Sequence, residues 1–138
     1  MTPKEIFNTV VTHLYTQKKQ AYDNRNNTCA YRTPEGLKCA IGCLIPDDDY
    51  DYRMDGIDSQ GFYLGGSMEA IVANFPNNIP SYFKDNFDFL FKLQGIHDGA
   101  EVDNDIDRNF KMRTLTIELR NFANYYNLYI PEITEQYI

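Results

Sequence analysis

The sequence predicts a mainly α domain, a single compact helical bundle of about four helices with a small hairpin or irregular insert, and α+β as the alternative class. Apolar residues recur at helical spacing in four separate stretches, and Pro and Gly punctuate the chain between them. A length of 138 residues suits one core, which would bury roughly two-thirds of the unfolded surface. No repeat, linker or low-complexity tract divides residues 1–138.

Thr2, Pro3 and Glu5 have the spacing of a capping box and open the first helix. Ile6, Phe7, Val10, Val11, Leu14 and Tyr15 then form one apolar face, up to about Lys19. The run Asp23-Asn-Arg-Asn-Asn-Thr28 reads as a loop, because short polar side chains compete for backbone hydrogen bonds. Cys29 to Arg32 and Leu37 to Ala40 flank Thr33-Pro34-Glu35-Gly36, which predicts a small hairpin, with a short helical turn as the competing reading. The stretch Cys39 to Ile45 is small and apolar and is expected to be buried, with Pro46 ending it.

Asp47 to Asp58 carries six Asp against one Arg and is expected at the surface, with any helix in it short. Ser67 is placed to cap a second helix that ends near Pro76. Tyr82, Phe83, Phe87, Leu90, Phe91 and Leu93 predict one aromatic, central third helix, from Pro80 to Gly95. A last helix is expected from about Asp105, with Met112, Leu115, Leu119, Phe122 and Tyr126 on its apolar face and Asn127 closing it.

The balance of 13 basic and 20 acidic residues gives a net charge of −7, which argues against duplex nucleic acid as a partner. No apolar run is long enough to span a bilayer, and the N-terminus does not read as a secretion signal. Three cysteines, an odd number, fit reduced thiols in a cytoplasmic setting better than a disulfide framework.

The block Gly36-Leu-Lys-Cys39-Ala-Ile-Gly42-Cys43-Leu-Ile-Pro-Asp47, with His97-Asp98 before the last helix, resembles small bacterial and bacteriophage proteins of unknown function. Their signature is Gly-x-x-Cys-Ala-x-Gly-x-Leu followed much later by an Asn-Asp or His-Asp pair. The chain departs from them in having no Trp in the last helix. The resemblance implies a mostly helical domain and a phage source, which would place the protein in the host cytoplasm, and it brings no established activity.

Each candidate for chemistry has a structural competitor. Cys29, Cys39 and Cys43 with His13 or His97 offer zinc-ligand types, but their spacing lacks paired knuckles, and small buried thiols explain them. A nucleophilic cysteine would need a base and an electropositive setting, for which Lys38 is thin support. His97-Asp98 is similar to the metal-binding pair of phosphohydrolases, a reading that needs His13 and an acid from Asp103 to Asp107 to converge on it; bracing the end of the third helix is the competitor. Asp47, Asp49, Asp51, Asp55 and Asp58 match five positions of a calcium loop, but Tyr52 stands where Gly is required. The same acids, with those after Asp98, could mimic nucleic acid towards a basic protein groove.

The 11 Tyr and 9 Phe exceed what one small core needs. Tyr50, Tyr52, Phe62 and Tyr63 lie in acidic or glycine-containing segments and are the candidate interaction residues, with Arg32, Arg53, His97 and Asp98 beside them. The third-helix Phe residues are expected in the core or in a homo-oligomer face. The reading is a non-enzymatic accessory protein of phage type, with an anti-defence role among its options, that holds a host protein or a small nucleotide-like ligand. It uses no cofactor and no metal. The alternative is a metal-dependent hydrolase centred on His97-Asp98.

Overall fold

In the computed structural model, which describes residues 1–56 and 66–137, the Thr2 hydroxyl accepts the Glu5 N–H (3.2 Å) and the Glu5 carboxylate accepts the Thr2 N–H (3.1 Å). This reciprocal cap starts helix α1, Pro3–Gln17, and Lys18 ends it in the left-handed region at φ 61°. All six apolar residues of its predicted face are buried. About 51% of the described residues are helical, 3₁₀ turns included, with four helices of seven residues or more among them, so the class is mainly α.

The Asp23–Thr28 loop closes a two-stranded antiparallel hairpin, β1 (Tyr22–Asp23) and β2 (Thr28–Cys29), with Tyr22 opposite Cys29. Asp23 holds the turn by accepting from the Arg25 N–H (3.0 Å) and the Asn26 amide (2.8 Å). The hairpin expected around Pro34-Gly36 is reduced to one bridge, Arg32 to Lys38, closed by a Thr33 N–H bond to Leu37 and by Gly36 at φ 92°. Cys39, Ala40, Ile41, Leu44 and Ile45 are buried as expected, and Cys43 is half-buried. A short 3₁₀ turn, Gly42–Leu44, lies against α1.

The acidic segment departs from expectation at Asp55. It sits in the 3₁₀ turn Tyr52–Asp55 and is only 4% exposed. Its carboxylate accepts the Tyr31 N–H (2.6 Å) and the Tyr50 hydroxyl, and burial pushes its pKa up. An acid inside a surface-type sequence was claimed by backbone donors that only the folded chain brings near.

Ser67 caps helix α2, Met68–Asn74, through the Ala70 N–H (3.1 Å). The predicted third helix is two: α3, Tyr82–Asp85, and α4, Phe87–Asp98. The break is Asn86, whose backbone leaves the helical region while its side chain caps the Tyr82 carbonyl (2.9 Å). Helix α4 runs through Gly95 and ends at Gly99, so Gly95 is an interior helical residue and not a terminator. Phe89, Leu90 and Leu93 are buried, while Phe91 is exposed, so of the two places expected for the third-helix Phe residues it does not take the core.

Helix α5 spans Met112–Tyr125 and starts seven residues later than expected. Asn104 accepts the N–H groups of Ile106 (2.9 Å) and Asp107 (2.7 Å), and Arg108 takes φ 52°. The next backbone groups pair with the chain after α1: Gln20 N–H to Arg108 (3.0 Å) and Phe110 N–H to Lys18 (2.9 Å). Side-chain turns and long-range pairing thus consumed the donors a helix would have used. Asn127, at φ 56°, closes α5, and a 3₁₀ turn Glu132–Tyr137 packs back on α1 and α5. Phe7, Phe89, Phe122 and Tyr126 form the aromatic centre between α1, α4 and α5, with ring centroids 4.7 to 5.5 Å apart.

Gly42 belongs here because a Cβ at this position would stand 1.9 Å from the Tyr31 carbonyl oxygen. Gly42→Ala is therefore expected to force the Tyr31 backbone away and cost about 2 kcal/mol or more, checked by chemical denaturation. Wild-type stability in this variant would show that the two segments do not touch.

Candidate functional site

Helix α4 delivers three polar side chains to one place from its last two turns: Gln94, His97 and Asp98. His97 is fully buried with its ring edge-on to Phe110. Its Nε2 accepts the Ala21 backbone N–H (3.0 Å). The ring proton is therefore on Nδ1, which donates to Asp98 Oδ1 (2.7 Å). Gln94 donates its Nε2–H to the same oxygen (2.9 Å), while its Oε1 accepts the Ile41 N–H (2.9 Å). Two buried donors, each locked by a backbone N–H from another segment, thus hold one carboxylate oxygen of Asp98.

The hairpin brings Cys29 to this place. The ligand-type atoms of Cys29, His97 and Asp98 lie within 4.8 Å of one another. Burial, followed by the Asp98 charge, pushes the Cys29 thiol up to about 12. Burial likewise holds the Cys39 thiol well above its ordinary value and pushes Cys43 to about 12. None of these carries a thiolate near neutral pH, as a cysteine nucleophile requires.

The trio has the composition of a metal site but not its geometry. Both nitrogens of His97 are engaged, and releasing Nδ1 for a metal would put a proton on Nε2 facing the Ala21 N–H. His13 does not converge with it: its Nε2 donates to the Lys38 carbonyl (2.8 Å). Asp103 instead holds its own loop through the Asn109 N–H (3.0 Å) and amide (2.9 Å). Asp98 keeps 43% of its side chain exposed, and this exposed part lines a cavity of about 210 Å³ together with Cys29, Tyr31, Glu69, Phe91 and Gly95.

The sequence candidates divide between places. Arg32, Tyr50 and Tyr52 meet in a second cavity of about 300 Å³ with Asp23, Arg25 and Asp55. There the polar groups serve one another. Arg32 donates to Asp47 (2.7 Å) and to the Ile45 carbonyl and stacks 4.8 Å over Tyr50; its Nε has no hydrogen bond and is closed to solvent. Tyr50 donates to Asp55. Tyr52 is exposed. Arg53 lies apart, paired with Asp51 (2.6 and 2.9 Å) and 5.8 Å over Phe75. Phe62 and Tyr63 lie outside the described residues. His97 and Asp98 come together as anticipated, but with different duties: His97 is a buried brace, and Asp98 alone reaches the cavity.

Sequence reasoning missed Gln94, Glu69, Phe91 and Gly95 as cavity residues and weighed Cys29 only as a zinc-ligand type or a small buried thiol. Gln94 and Gly95 carried a readable signal, since a Gln on an apolar helical face and a Gly inside a helix both need a reason.

Comparison with known protein families, with curated proteins and with solved structures finds no match to this chain. Among the described residues no helix is long and apolar enough to cross a membrane.

Two measurements check this geometry. His97→Ala strands the Ala21 N–H and opens a cavity, and should cost about 2 to 4 kcal/mol in denaturant unfolding. Labelling of the cysteines by a thiol reagent at pH 8 should run more than tenfold slower in native than in denatured protein, because the thiolate is the reacting form. Native labelling of Cys29 at the denatured rate would refute its burial beside Asp98.

Proposed function

We propose that the chain is a non-enzymatic binding module, an accessory protein of phage type, and that the cavity at Asp98 holds its ligand. One observation supports this reading above the rest. A carboxylate that reaches a cavity has its inner oxygen fixed by two buried donors, which is how a scaffold preorganises a recognition group. The Arg32–Tyr50–Tyr52 cavity is the weaker candidate, because its charges are spent on internal pairs. The hydrolase reading has the Cys29–His97–Asp98 trio in its favour, but His97 offers no free lone pair there.

Gly95 adds support. It is an interior residue of α4, it lines the cavity, and a Cβ added to it meets nothing within 4 Å. A Gly in that position costs the helix up to about 1 kcal/mol relative to Ala, with no packing constraint that demands it. What the missing side chain provides is open space beside Asp98.

The test is a ligand-observed NMR screen of a fragment library against wild type, Asp98→Asn and Gly95→Leu. Gly95→Ala should stabilise the protein by about 0.5 to 1 kcal/mol, and Gly95→Leu should keep the fold while filling the cavity. Hits should be lost in Gly95→Leu and weakened about tenfold or more in Asp98→Asn, an amount one charge-assisted bond supplies. Hits that bind all three proteins equally would locate ligand binding elsewhere.

A further inference from the structure

Resting on the reading of this cavity as a ligand site, we infer that it selects a protonated amino or guanidino head group carried on a short apolar stem, and not a phosphate-bearing ligand. The charged side chains lining it are Asp98 and Glu69, and among the described residues no Lys, Arg or His lines it. Residues 57–65, next in the chain to the lining residue Gly66, contain Asp58 and no Lys, Arg or His, so their composition supplies no positive charge. A phosphate would meet two carboxylates and no Lys, Arg or His among the described lining residues, whereas a cation would meet complementary potential in a molecule of net charge −7.

Three further features fit that cation. Asp98 presents its outer carboxylate edge, while Oδ1 is turned inward to His97 and Gln94; the incoming group must therefore donate hydrogen bonds, as an ammonium or guanidinium does. Phe91, 52% exposed on α4, lines the same cavity and offers a ring to a cation or its alkyl stem. The volume of about 210 Å³ exceeds the roughly 150 Å³ that admits a benzene ring and falls short of the roughly 300 Å³ at which pockets begin to enclose drug-sized ligands. It suits one head group and stem, not a nucleotide.

That chemistry comes either as a free amine or as a Lys or Arg side chain of a polypeptide, and the experiment separates them. ¹⁵N-labelled protein is titrated with n-butylamine hydrochloride and agmatine, with the capped peptides Gly-Gly-Lys-Gly-Gly and Gly-Gly-Arg-Gly-Gly, with butyramide as a neutral isostere, and with adenosine monophosphate. The amide resonances of Ala30, Tyr31, Gly95 and Asp98 should move with the cationic probes and not with butyramide or the nucleotide. Asp98→Asn should weaken that binding at least tenfold and Phe91→Ala about threefold, while Asp48→Asn, the same charge change at an exposed acid, should leave it within twofold. Free amines binding better than the peptides identifies a small-molecule ligand, and the reverse identifies a basic polypeptide. Equal weakening by Asp98→Asn and Asp48→Asn would reduce the effect to general attraction and overturn the inference. So would movement of these resonances by butyramide or the nucleotide in place of the cations, although the cavity would then remain a binding site. Silence towards every cationic probe would also overturn the inference, and the fragment screen with Gly95→Leu would still decide whether the cavity binds anything.

Discussion

A fully buried imidazole joins three parts of this molecule that are far apart in sequence, and its two nitrogens leave little freedom in how they meet. His97 receives the Ala21 N–H on one nitrogen and gives its proton to Asp98 with the other, so the segment after α1 is tied to the end of α4. Gln20 strengthens the tie by donating to the carbonyls of His97 (3.0 Å) and Asp98 (3.2 Å), which the end of a helix leaves short of partners. Arg108 in turn donates to Gln20 (2.8 Å) and lies 3.8 Å over the Tyr22 ring, which draws the loop before α5 into the same knot. Buried polar groups are costly unless satisfied, and here each is satisfied by a different segment. The arrangement of segments is therefore specified more sharply than apolar packing alone would require.

The candidate site inherits its order from that knot. Asp98 is held because His97 and Gln94 are held, and they are held because Ala21 and Ile41 present backbone N–H groups at the right places. The Ile41 N–H is available because residues 39–45 turn tightly against Tyr31, which Gly42 alone permits. The cysteine-centred block thus contributes to the site indirectly. It supplies no reactive thiol at neutral pH, but it carries the backbone donor that orients Gln94. Gly66 shows the same economy of space, since a Cβ there would stand 1.9 Å from the Met54 carbonyl oxygen. Both glycines hold their neighbours at contact, whereas Gly95 holds nothing and leaves room.

The two carboxylates that the fold treats as special, Asp55 and Asp98, differ in what surrounds them. Asp55 is buried and saturated by Tyr31 and Tyr50, so it organises the acidic segment from within. Asp98 is saturated on its inner side only and faces a cavity on the other. That asymmetry, and not acidity as such, sets Asp98 apart from Asp55.

The sequence by itself determined the mainly α class, the first helix with its cap and buried face, the Ser67 cap, the burial of Cys39, Ala40, Ile41, Leu44 and Ile45 and the pairing of His97 with Asp98, because each can be read from periodicity, from an apolar run or from interactions within a few residues. Only the tertiary structure decided where α5 begins, that Asp55 is buried, and that His97 is a brace while Asp98 faces a cavity with Phe91 and Gly95. The reason is the same in each long-range case. A backbone N–H or a carboxylate in this chain has several partners within reach of its local sequence, and the choice among them falls to donors and acceptors tens of positions away: Lys18 and Gln20 for the loop before α5, Tyr31 for Asp55, Ala21 for His97. Such competitions leave no periodicity to read, since their outcome exists only once the segments have been brought together.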